Sequence, residues 1–265
     1  MDIKEPKAPS SRALLIRGKR GKLLGNIFLP GGDGPYPVIL LMHGIPGIEK
    51  LLDFAVGLRE AGFAVVTFHY SGCWGSDGVY AVSHCFEDCF TVLDHIEENA
   101  AGDFDLSRVY ALGHSMGGLM ASRVTALSPL VQGACIMVPM DFRLAAEEAL
   151  EGREGHYKMI IDVSEPWVTG LSWAKFREDA AAHFDEMDLI AYAPALADKP
   201  ILTVSAARDI LLPKADHIDR LDAAIDAEGK GNHRKVLFDS DHSFHKDRPL
   251  VRKAVAEYFR ELAEI

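Results

Sequence analysis

Short runs of apolar residues recur along the chain and predict the strands of a sheet. Most of six such runs lack an alternation of apolar and polar positions, which is typical of parallel strands covered by helices on both faces. They span residues 38–42, 63–68, 109–112, 131–138, 201–204 and 234–238. Two earlier runs, 12–17 and 22–29, flank a turn at Gly18 and Gly21 and predict an antiparallel pair at the start of the sheet.

Segments with helical periodicity lie between these runs. The predicted helices span residues 50–61, 83–99, 116–127, 214–228 and 247–264. A chain in which strands and helices alternate forms a parallel sheet with helices packed on its faces. The pattern therefore predicts an α/β fold.

Residues 140–198 interrupt this alternation. They contain no convincing strand, but two amphipathic helices are predicted at 141–151 and 172–184. A connection of this length between two core strands is usually functional. We therefore predict a helical lid at 140–198 on a core formed by 1–139 and 199–265. An ordinary helical excursion that completes the core is the alternative, although the segment is rich in aromatic residues.

A G-x-S-x-G sequence, Gly113-His114-Ser115-Met116-Gly117, lies between a predicted strand and a predicted helix. A strand that turns sharply into a helix crowds the residues beside the turn, and glycines at both flanks let the serine project into a cleft. The first N–H groups of the helix favour the negative charge that develops at such a serine. The motif thus predicts Ser115 as a nucleophile.

With this motif in this context, the chain resembles the α/β-hydrolases over nearly its whole length. The resemblance implies an α/β-hydrolase fold with an eight-stranded, mostly parallel sheet and the catalytic order serine, acid, histidine. It implies Asp209 as the acid, just after the run at 201–204, and His242 as the base, just after the last predicted strand. All three residues follow predicted strands, at the edge where doubly wound sheets place their sites.

Other residues compete for these roles. Asp198 precedes its strand and Asp216 lies within a predicted helix, so Asp209 is favoured as the acid. His245 is an alternative to His242, which is favoured by its resemblance to family patterns ending in His-x-Phe. His69 and His114, like the remaining histidines, are expected to be structural.

Two backbone N–H groups are expected to form an oxyanion hole. Met116 supplies one by its position after the nucleophile. The loop His43-Gly44-Ile45-Pro46-Gly47 resembles the H-G-x-P-G loops of serine esterases, which implies the Ile45 N–H as the second. The chain lacks the H-G-G-G form of many lipases, which argues against a lipase.

The glycine-rich segment 70–78 resembles a loop of prolyl-oligopeptidase-like hydrolases and their esterase relatives. No G-K-[S/T] follows it, which argues against nucleotide binding. Trp74 in this segment, together with Trp167, Trp173 and Phe176 of the predicted lid, is expected to line the substrate pocket, although Trp74 could equally cover the sheet edge.

The resemblance implies a serine hydrolase that cleaves carboxylic esters of small to medium acyl compounds, aromatic ones included, through an acyl-enzyme. An exopeptidase-like amidase is the alternative enzyme, and a non-catalytic scaffold that acts as a binding module is the alternative from another class. The mechanism needs no metal or other cofactor. Cys85 and Cys89 are four residues apart on a predicted helix, but no second pair has zinc spacing.

Composition narrows the partners. The chain has 28 basic and 39 acidic residues and a net charge of −11, which argues against nucleic-acid binding. The polar N-terminal residues, and the absence of any run near the roughly 18 apolar residues of a membrane span, lead us to expect a cytoplasmic protein with reduced cysteines and no membrane partner. The expected partner is a small-molecule acyl substrate, and a homodimer is compatible with the sequence.

The negative charge is unevenly distributed. Residues 140–198 hold 13 acidic and five basic residues, a net charge of −8, which leaves −3 for the other 206 residues. A lid of this charge above Ser115 would disfavour strongly anionic substrates. Solvation of the outer face of the lid is an equally good explanation of the charge.

Overall fold

An eight-stranded sheet forms the centre of the molecule. The computed structural model describes residues 7–48, 50–98 and 102–265. The strands are β1 (Ser10–Gly18), β2 (Gly21–Leu29), β3 (Tyr36–Met42), β4 (Ala64–Phe68), β5 (Phe104–His114), β6 (Val131–Met137), β7 (Ile201–Ala206) and β8 (His233–Phe238). Their order across the sheet is β1-β2-β4-β3-β5-β6-β7-β8. β2 is antiparallel to β1 and β4, and the later pairs are parallel.

The helices pack on both faces of this sheet. They are α1 (Leu52–Glu60), α2 (Val82–Glu98), α3 (Met116–Leu127), α4 (Phe142–Leu150), α5 (His156–Ser164), α6 (Trp173–His183), α7 (Ala193–Ala197), α8 (Ile218–Ala227) and α9 (Arg248–Ala263). Short 3₁₀ turns join some of the helices between β6 and β7.

Strand β3 shows why its sequence is apolar without alternation. Val38, Leu40 and Met42 point into the core shared with α2 and α3, whereas Ile39 and Leu41 point into the core shared with α1 and α9. Successive residues of a strand face opposite sides, so a strand buried on both sides is apolar throughout. The predicted eight-stranded α/β-hydrolase fold is confirmed.

The segment between β6 and β7 is helical, as predicted, and is called the insertion (residues 140–198) below. Asp141 caps α4 by accepting the Arg143 N–H, and Ser172 caps α6 by accepting the Lys175 N–H. The insertion also contains α5, which the sequence did not predict. Its nine residues include a short run, Met159, Ile160 and Ile161, that is too brief to show a helical period.

The remaining differences concern element ends. α1 begins at Leu52 rather than at residue 50, and α8 begins at Ile218 rather than at 214. β5 begins at Phe104, five residues before the predicted start, with a register shift between Val109 and Tyr110. Residue 99, predicted as the end of a helix, and the polar residues 1–6 lie outside the described residues.

None of the helices in the described ranges has both the length and the apolarity needed to cross a bilayer.

Candidate active site

Ser115 occupies the sharp turn between β5 and α3. Its φ of 59° and ψ of −124° are unusual for a residue other than glycine. A side chain at Gly113 would overlap the Gly117 carbonyl, and a side chain at Gly117 would overlap the Met42 carbonyl at the end of β3. The two glycines of the motif are therefore required by close packing of β5, α3 and β3 around the serine.

Hydrogen bonds fix the backbone of this turn. The Ser115 N–H donates to the Met137 carbonyl at 3.0 Å, which continues the pairing of β5 with β6. The Ser115 carbonyl accepts from the N–H groups of Gly118 at 2.9 Å and Met140 at 3.0 Å. The first residue of the insertion is thus bonded directly to the serine.

The buried Asp209 and the partly buried His242 form a pair beside this turn. Asp209 Oδ2 is 2.7 Å from His242 Nδ1, and Asp209 Oδ1 accepts the N–H groups of Leu211 and Leu212 at 3.0 and 2.8 Å. Because a carboxylate only accepts hydrogen bonds, the proton of the neutral imidazole lies on Nδ1. Nε2 of His242 is left with a free lone pair.

His114 holds the loop that carries His242. Its Nε2 donates to the His242 carbonyl at 2.8 Å, and the two rings lie 4.9 Å apart. Burial, reinforced by the His242 ring, lowers the pKa of His114 to about 3, so the ring is neutral at pH 7. The sequence led us to expect a structural role for His114. Its contact with His242 could not be predicted, because the two residues are far apart in sequence and only the fold brings them together.

Ser115 and His242 line one cavity of about 180 Å³. Its walls are formed by residues 44–48, His114, Ser115, Leu211, His242 and Ser243. In the described part of the chain, no hydrogen bond joins the Ser115 hydroxyl to the His242 ring. Such bonds are often long in the absence of substrate and tighten when it binds.

The loop at 43–47 passes over Ser115. A Cβ on Gly44 would come 2.9 Å from the Ser115 Cβ, so only glycine permits this approach. Tyr70 donates its hydroxyl to the His43 carbonyl at 3.2 Å, and burial lowers the pKa of His43 to about 4. Among the described residues the Ile45 N–H has no hydrogen-bond partner.

The Met116 N–H belongs to the first turn of α3, where the helix offers it no acceptor. Met116 and Ile45 therefore present two amide N–H groups beside the serine turn that have no acceptor in the part of the chain that the structure describes. The Met116 side chain is also fixed, because its sulfur accepts the Tyr80 hydroxyl at 2.7 Å.

The four aromatic residues predicted for the pocket are not among those that line this cavity in the described chain. Trp173 and Phe176 stack on each other at 5.5 Å, and Phe176 packs on Phe142 inside the insertion. Trp74 and Trp167 stack on each other at 6.2 Å outside the cavity wall. An aromatic-rich composition does not distinguish a pocket from the insertion's own core.

The competing residues lie in other surroundings. Asp198 pairs with Lys230 at 3.2 Å, and the exposed His245 pairs with Asp241 at 2.9 Å. His69 contacts His43, and burial lowers its pKa to about 3. Asp216 lies in the turn before α8, rather than within it.

The cysteines that could have shared a metal are buried. Cys89 lies 3.8 Å from the sulfur of Met42, and burial raises the pKa values of both Cys85 and Cys89. Within residues 7–48, 50–98 and 102–265, no group of three or more His, Cys, Asp or Glu side chains is arranged to hold a metal ion.

Comparison with known sequences places these residues in context. Residues 38–254 match the model of the alpha/beta hydrolase family. Esterase EstD of Thermotoga maritima is 26% identical over 150 residues, which cover 52% of this chain and 34% of that protein. An uncharacterized 31.7 kDa protein of Escherichia coli, from the traX-finO intergenic region, is 37% identical over 97 residues, 34% of this chain and 32% of that protein. The matches thus span about a third of each curated relative.

Solved structures share the fold over almost the whole chain. Est1E from Butyrivibrio proteoclasticus with bound ferulic acid has a TM-score of 0.75 at 18% identity, covering 96% of this chain and 100% of that one. The Pyrococcus furiosus esterase Pf2001 has a TM-score of 0.71 at 15% identity, covering 96% and 90%. At these identities, the likeness establishes a common fold.

Proposed function

The chain belongs to the alpha/beta hydrolase family, and from this premise we propose that it is a serine hydrolase that cleaves carboxylic esters. The observation that carries the proposal is the pairing of His242 with Asp209 at the wall of the cavity that Ser115 also lines. The esterases among its relatives and structural neighbours support the same reaction class.

The proposed mechanism begins with proton transfer from Ser115. Nε2 of His242 takes the hydroxyl proton while the serine oxygen attacks the ester carbonyl carbon. Asp209 holds the ring in the tautomer that leaves Nε2 free, and its carboxylate stabilises the imidazolium that forms. His242 then returns the proton to the departing alcohol.

The Ile45 and Met116 N–H groups receive the oxyanion of the tetrahedral intermediate. A donor of this kind typically contributes about 10²–10³ in kcat. Water then attacks the acyl-enzyme, again with His242 as the base, and releases the acid. The N–H groups act without reorganisation because the serine turn and the loop at 43–47 are already hydrogen-bonded in place.

The dimensions of the cavity support a short acyl group. Its volume of about 180 Å³ lies below the roughly 300–1,000 Å³ of most ligand pockets. Ile48 lines the cavity with an exposed apolar side chain, and the exposed Ile210 precedes the cavity-lining Leu211 in sequence. These side chains favour an apolar alcohol or aryl group outside the cavity. Ferulic acid, the ligand of Est1E, makes an aromatic acyl ester an informative competitor in a substrate panel.

The insertion is proposed to act as a lid over this site. Two of its contacts with the site loops support the role, because His156 bonds the Leu211 carbonyl at 2.6 Å and Met140 bonds the Ser115 carbonyl. Leu211 lines the cavity, so movement of α5 would alter the cavity wall.

The first test is hydrolysis of p-nitrophenyl acetate by the unmodified chain and by Ser115→Ala. We expect the variant to lose about 10⁴–10⁶ in kcat without loss of the fold, since the other groups remain. Ser122→Ala is the matched control, because this serine lies on α3, the helix that follows Ser115, and its hydroxyl donates to the Gly118 carbonyl at 2.8 Å. Full activity of Ser115→Ala would refute the proposed nucleophile.

A second measurement separates the alternatives. A fluorophosphonate should label Ser115 in the folded chain, and failure to label would favour a non-catalytic scaffold. Acyl-matched esters, thioesters and aminoacyl amides then rank the leaving groups. A kcat/KM for amides above that for esters would favour the amidase.

A further inference from the structure

Trp74 lies in the loop after β4 and contacts the loop at 43–47 from outside the cavity. Its Nε1–H donates to the Pro46 carbonyl at 2.7 Å. Pro46 directly follows Ile45, whose N–H is one of the two donors of the proposed oxyanion hole. The hydrogen bond therefore fixes the Pro46–Gly47 peptide group, which is two peptide groups along the chain from the one that carries that donor.

Gly47 shows how closely the indole approaches this loop. Its φ of +81° is a conformation that favours glycine. A Cβ there would come 2.9 Å from Trp74 Nε1 and would overlap the His43 ring. The Trp74 indole and the His43 imidazole thus both pack against Gly47, and no residue with a side chain would leave room for both rings.

The insertion contacts the other side of Trp74. The Trp167 ring stacks on it, with centroids 6.2 Å apart and an interplanar angle of 25°. Val168 forms an antiparallel bridge with Cys73, and the Thr169 N–H donates to the Gly72 carbonyl at 2.8 Å. This backbone pairing of residues 72–73 with residues 168–169 therefore holds Trp167 against Trp74.

A cation completes the surroundings of the indole. Lys50 Nζ lies 4.6 Å from the centroid of the Trp74 ring, within the distance for a cation–π contact. A hydrogen bond, a stacked ring and a cation therefore act on one side chain.

We propose that Trp74 is a positioning residue for the oxyanion hole and that Trp167 couples its orientation to the insertion. The inference rests on the proposed ester hydrolysis. An oxyanion exists only in the transition state and the tetrahedral intermediates. A displaced Ile45 N–H therefore lowers kcat and leaves substrate binding almost unchanged.

The decisive variant is Trp74→Phe, which keeps an aromatic ring and removes the N–H. We expect kcat for p-nitrophenyl acetate to fall about 10- to 100-fold, as small misplacements of catalytic groups do, with KM changed by less than about twofold. The inhibition constant of a trifluoromethyl ketone should rise by the same factor as kcat falls, because its hemiketal with Ser115 places an oxyanion in the hole. Tyr36→Phe is the matched control, since it removes a hydrogen bond to the Gly32 carbonyl at 2.6 Å in a remote loop.

Trp167→Leu tests the coupling and guards against a folding defect, because Trp167 is half exposed. We expect kcat to fall about 3- to 10-fold, and the double variant to be no slower than Trp74→Phe alone, since contacting residues are not additive. Additive losses would overturn the coupling. An unchanged kcat in Trp74→Phe, or a loss of kcat without the matching weaker ketone inhibition, would overturn the positioning role.

The outcome for the unmodified chain separates this inference from the proposed function. If the unmodified chain hydrolyses no ester, ester hydrolysis fails and the inference fails with it. If it hydrolyses esters and Trp74→Phe behaves like Tyr36→Phe, the inference alone fails.

Discussion

Gly117 is the residue on which the packing beneath Ser115 depends most directly. It lies in the first turn of α3, where a Cβ would overlap the carbonyl group of Met42 and lie 2.9 Å from the His43 carbonyl oxygen. Both obstacles are backbone atoms, which cannot rotate aside as a flexible side chain can. Relief of the overlap requires α3 to move away from β3.

We therefore expect Gly117→Ala to lower the free energy of unfolding by about 1–3 kcal/mol, the usual cost of overpacking, and to reduce kcat by displacing Ser115. Urea unfolding and p-nitrophenyl acetate hydrolysis measure the two effects. Gly57→Ala in α1 is the control, because a Cβ there meets no atom within 4 Å. It should be stabilising by about 0.5–1 kcal/mol, as is usual within a helix. Equal stability of the two variants would contradict this account.

Single residues could be predicted from the sequence where a short motif or a position at a strand end marks them. The G-x-S-x-G spacing and the order of the strand ends led to Ser115, Asp209 and His242, which the structure brings to one edge of the sheet. Their roles stay predictions until variants are assayed. The contacts of His114 and Trp74 have no local signature, because each depends on a residue at least 28 positions away.

Among the elements, the insertion is anchored at Asp141. Its carboxylate is fully buried and accepts the N–H groups of Arg143 and Leu189, both at 3.2 Å. Burial raises the pKa of Asp141 from 3.8 to about 6, with a further contribution from Asp188, although these N–H groups and Arg220 act in the opposite direction. The charged form thus costs stability at neutral pH.

The raised pKa of Asp141 determines the direction in which the free energy of unfolding changes with pH. Well below pH 3.8 the carboxyl is neutral in both the folded and the unfolded chain, and between pH 3.8 and about 6 the unfolded chain gives up the proton more readily. The free energy of unfolding therefore falls as the pH rises through this range, and above pH 6 it stays lower by about 3 kcal/mol at most.

Asp141→Asn should remove this dependence, because asparagine keeps an oxygen that can accept the two N–H groups. We expect the Tm of the variant to exceed that of the unmodified chain by more at pH 8 than at pH 4.5. The difference between the two proteins is the readout, since the buried histidines titrate equally in both. A difference that does not vary with pH would contradict the assignment.

Within the insertion, the sequence pattern predicts α4 and α6 but not α5. α4 and α6 were predicted within one residue or two of their observed ends because each has a side-chain cap and a helical apolar period. α5 lacks a side-chain cap at Gly155 and has too short an apolar run. Its helical form depends instead on the buried Glu148, which lies in α4, outside the segment. The Glu148 carboxylate accepts the N–H groups of Gly155 and Lys158, both at 2.9 Å.

For the whole molecule, the negative charge of the insertion is partly neutralised by the core. Glu186 pairs with Arg123, Asp141 with Arg220 and Asp198 with Lys230, so three of its carboxylates are matched by cations outside it. The insertion as a whole nevertheless carries a net charge of −8.

If the insertion overhangs the site, its field should disfavour anionic substrates. We expect kcat/KM for a neutral ester to exceed that for a size-matched anionic ester at about 0.01 M salt, and the ratio to shrink at about 1 M salt, where the Debye length falls to about 3 Å. The neutral ester controls for direct effects of salt on the chain. Equal values at low salt would show that the charge only solvates an outer face.

The overall fold was predictable because each of its signals is repeated along the chain. Eight apolar runs and their intervening helices predict the same sheet, and an error at one end, as at β5, leaves the rest unaltered. The pocket is a single arrangement built from loops distant in sequence. The prediction that Trp173 and Phe176 line it depended on aromatic composition alone, and the structure stacks the two rings on each other instead.

The position of the insertion between β6 and β7 constrains how such a chain can diverge. These neighbouring strands are parallel, so the chain must return from the carboxyl end of β6 to the amino end of β7 along the length of the strands. α7, with Ala193, Leu196 and Ala197 buried, makes the last part of that return. Replacement of α4 to α6 would leave this last part of the connection in place, but excision of the entire segment would remove the crossover itself. The segment that we propose as a lid therefore also contains the connection on which the parallel pairing of β6 with β7 depends.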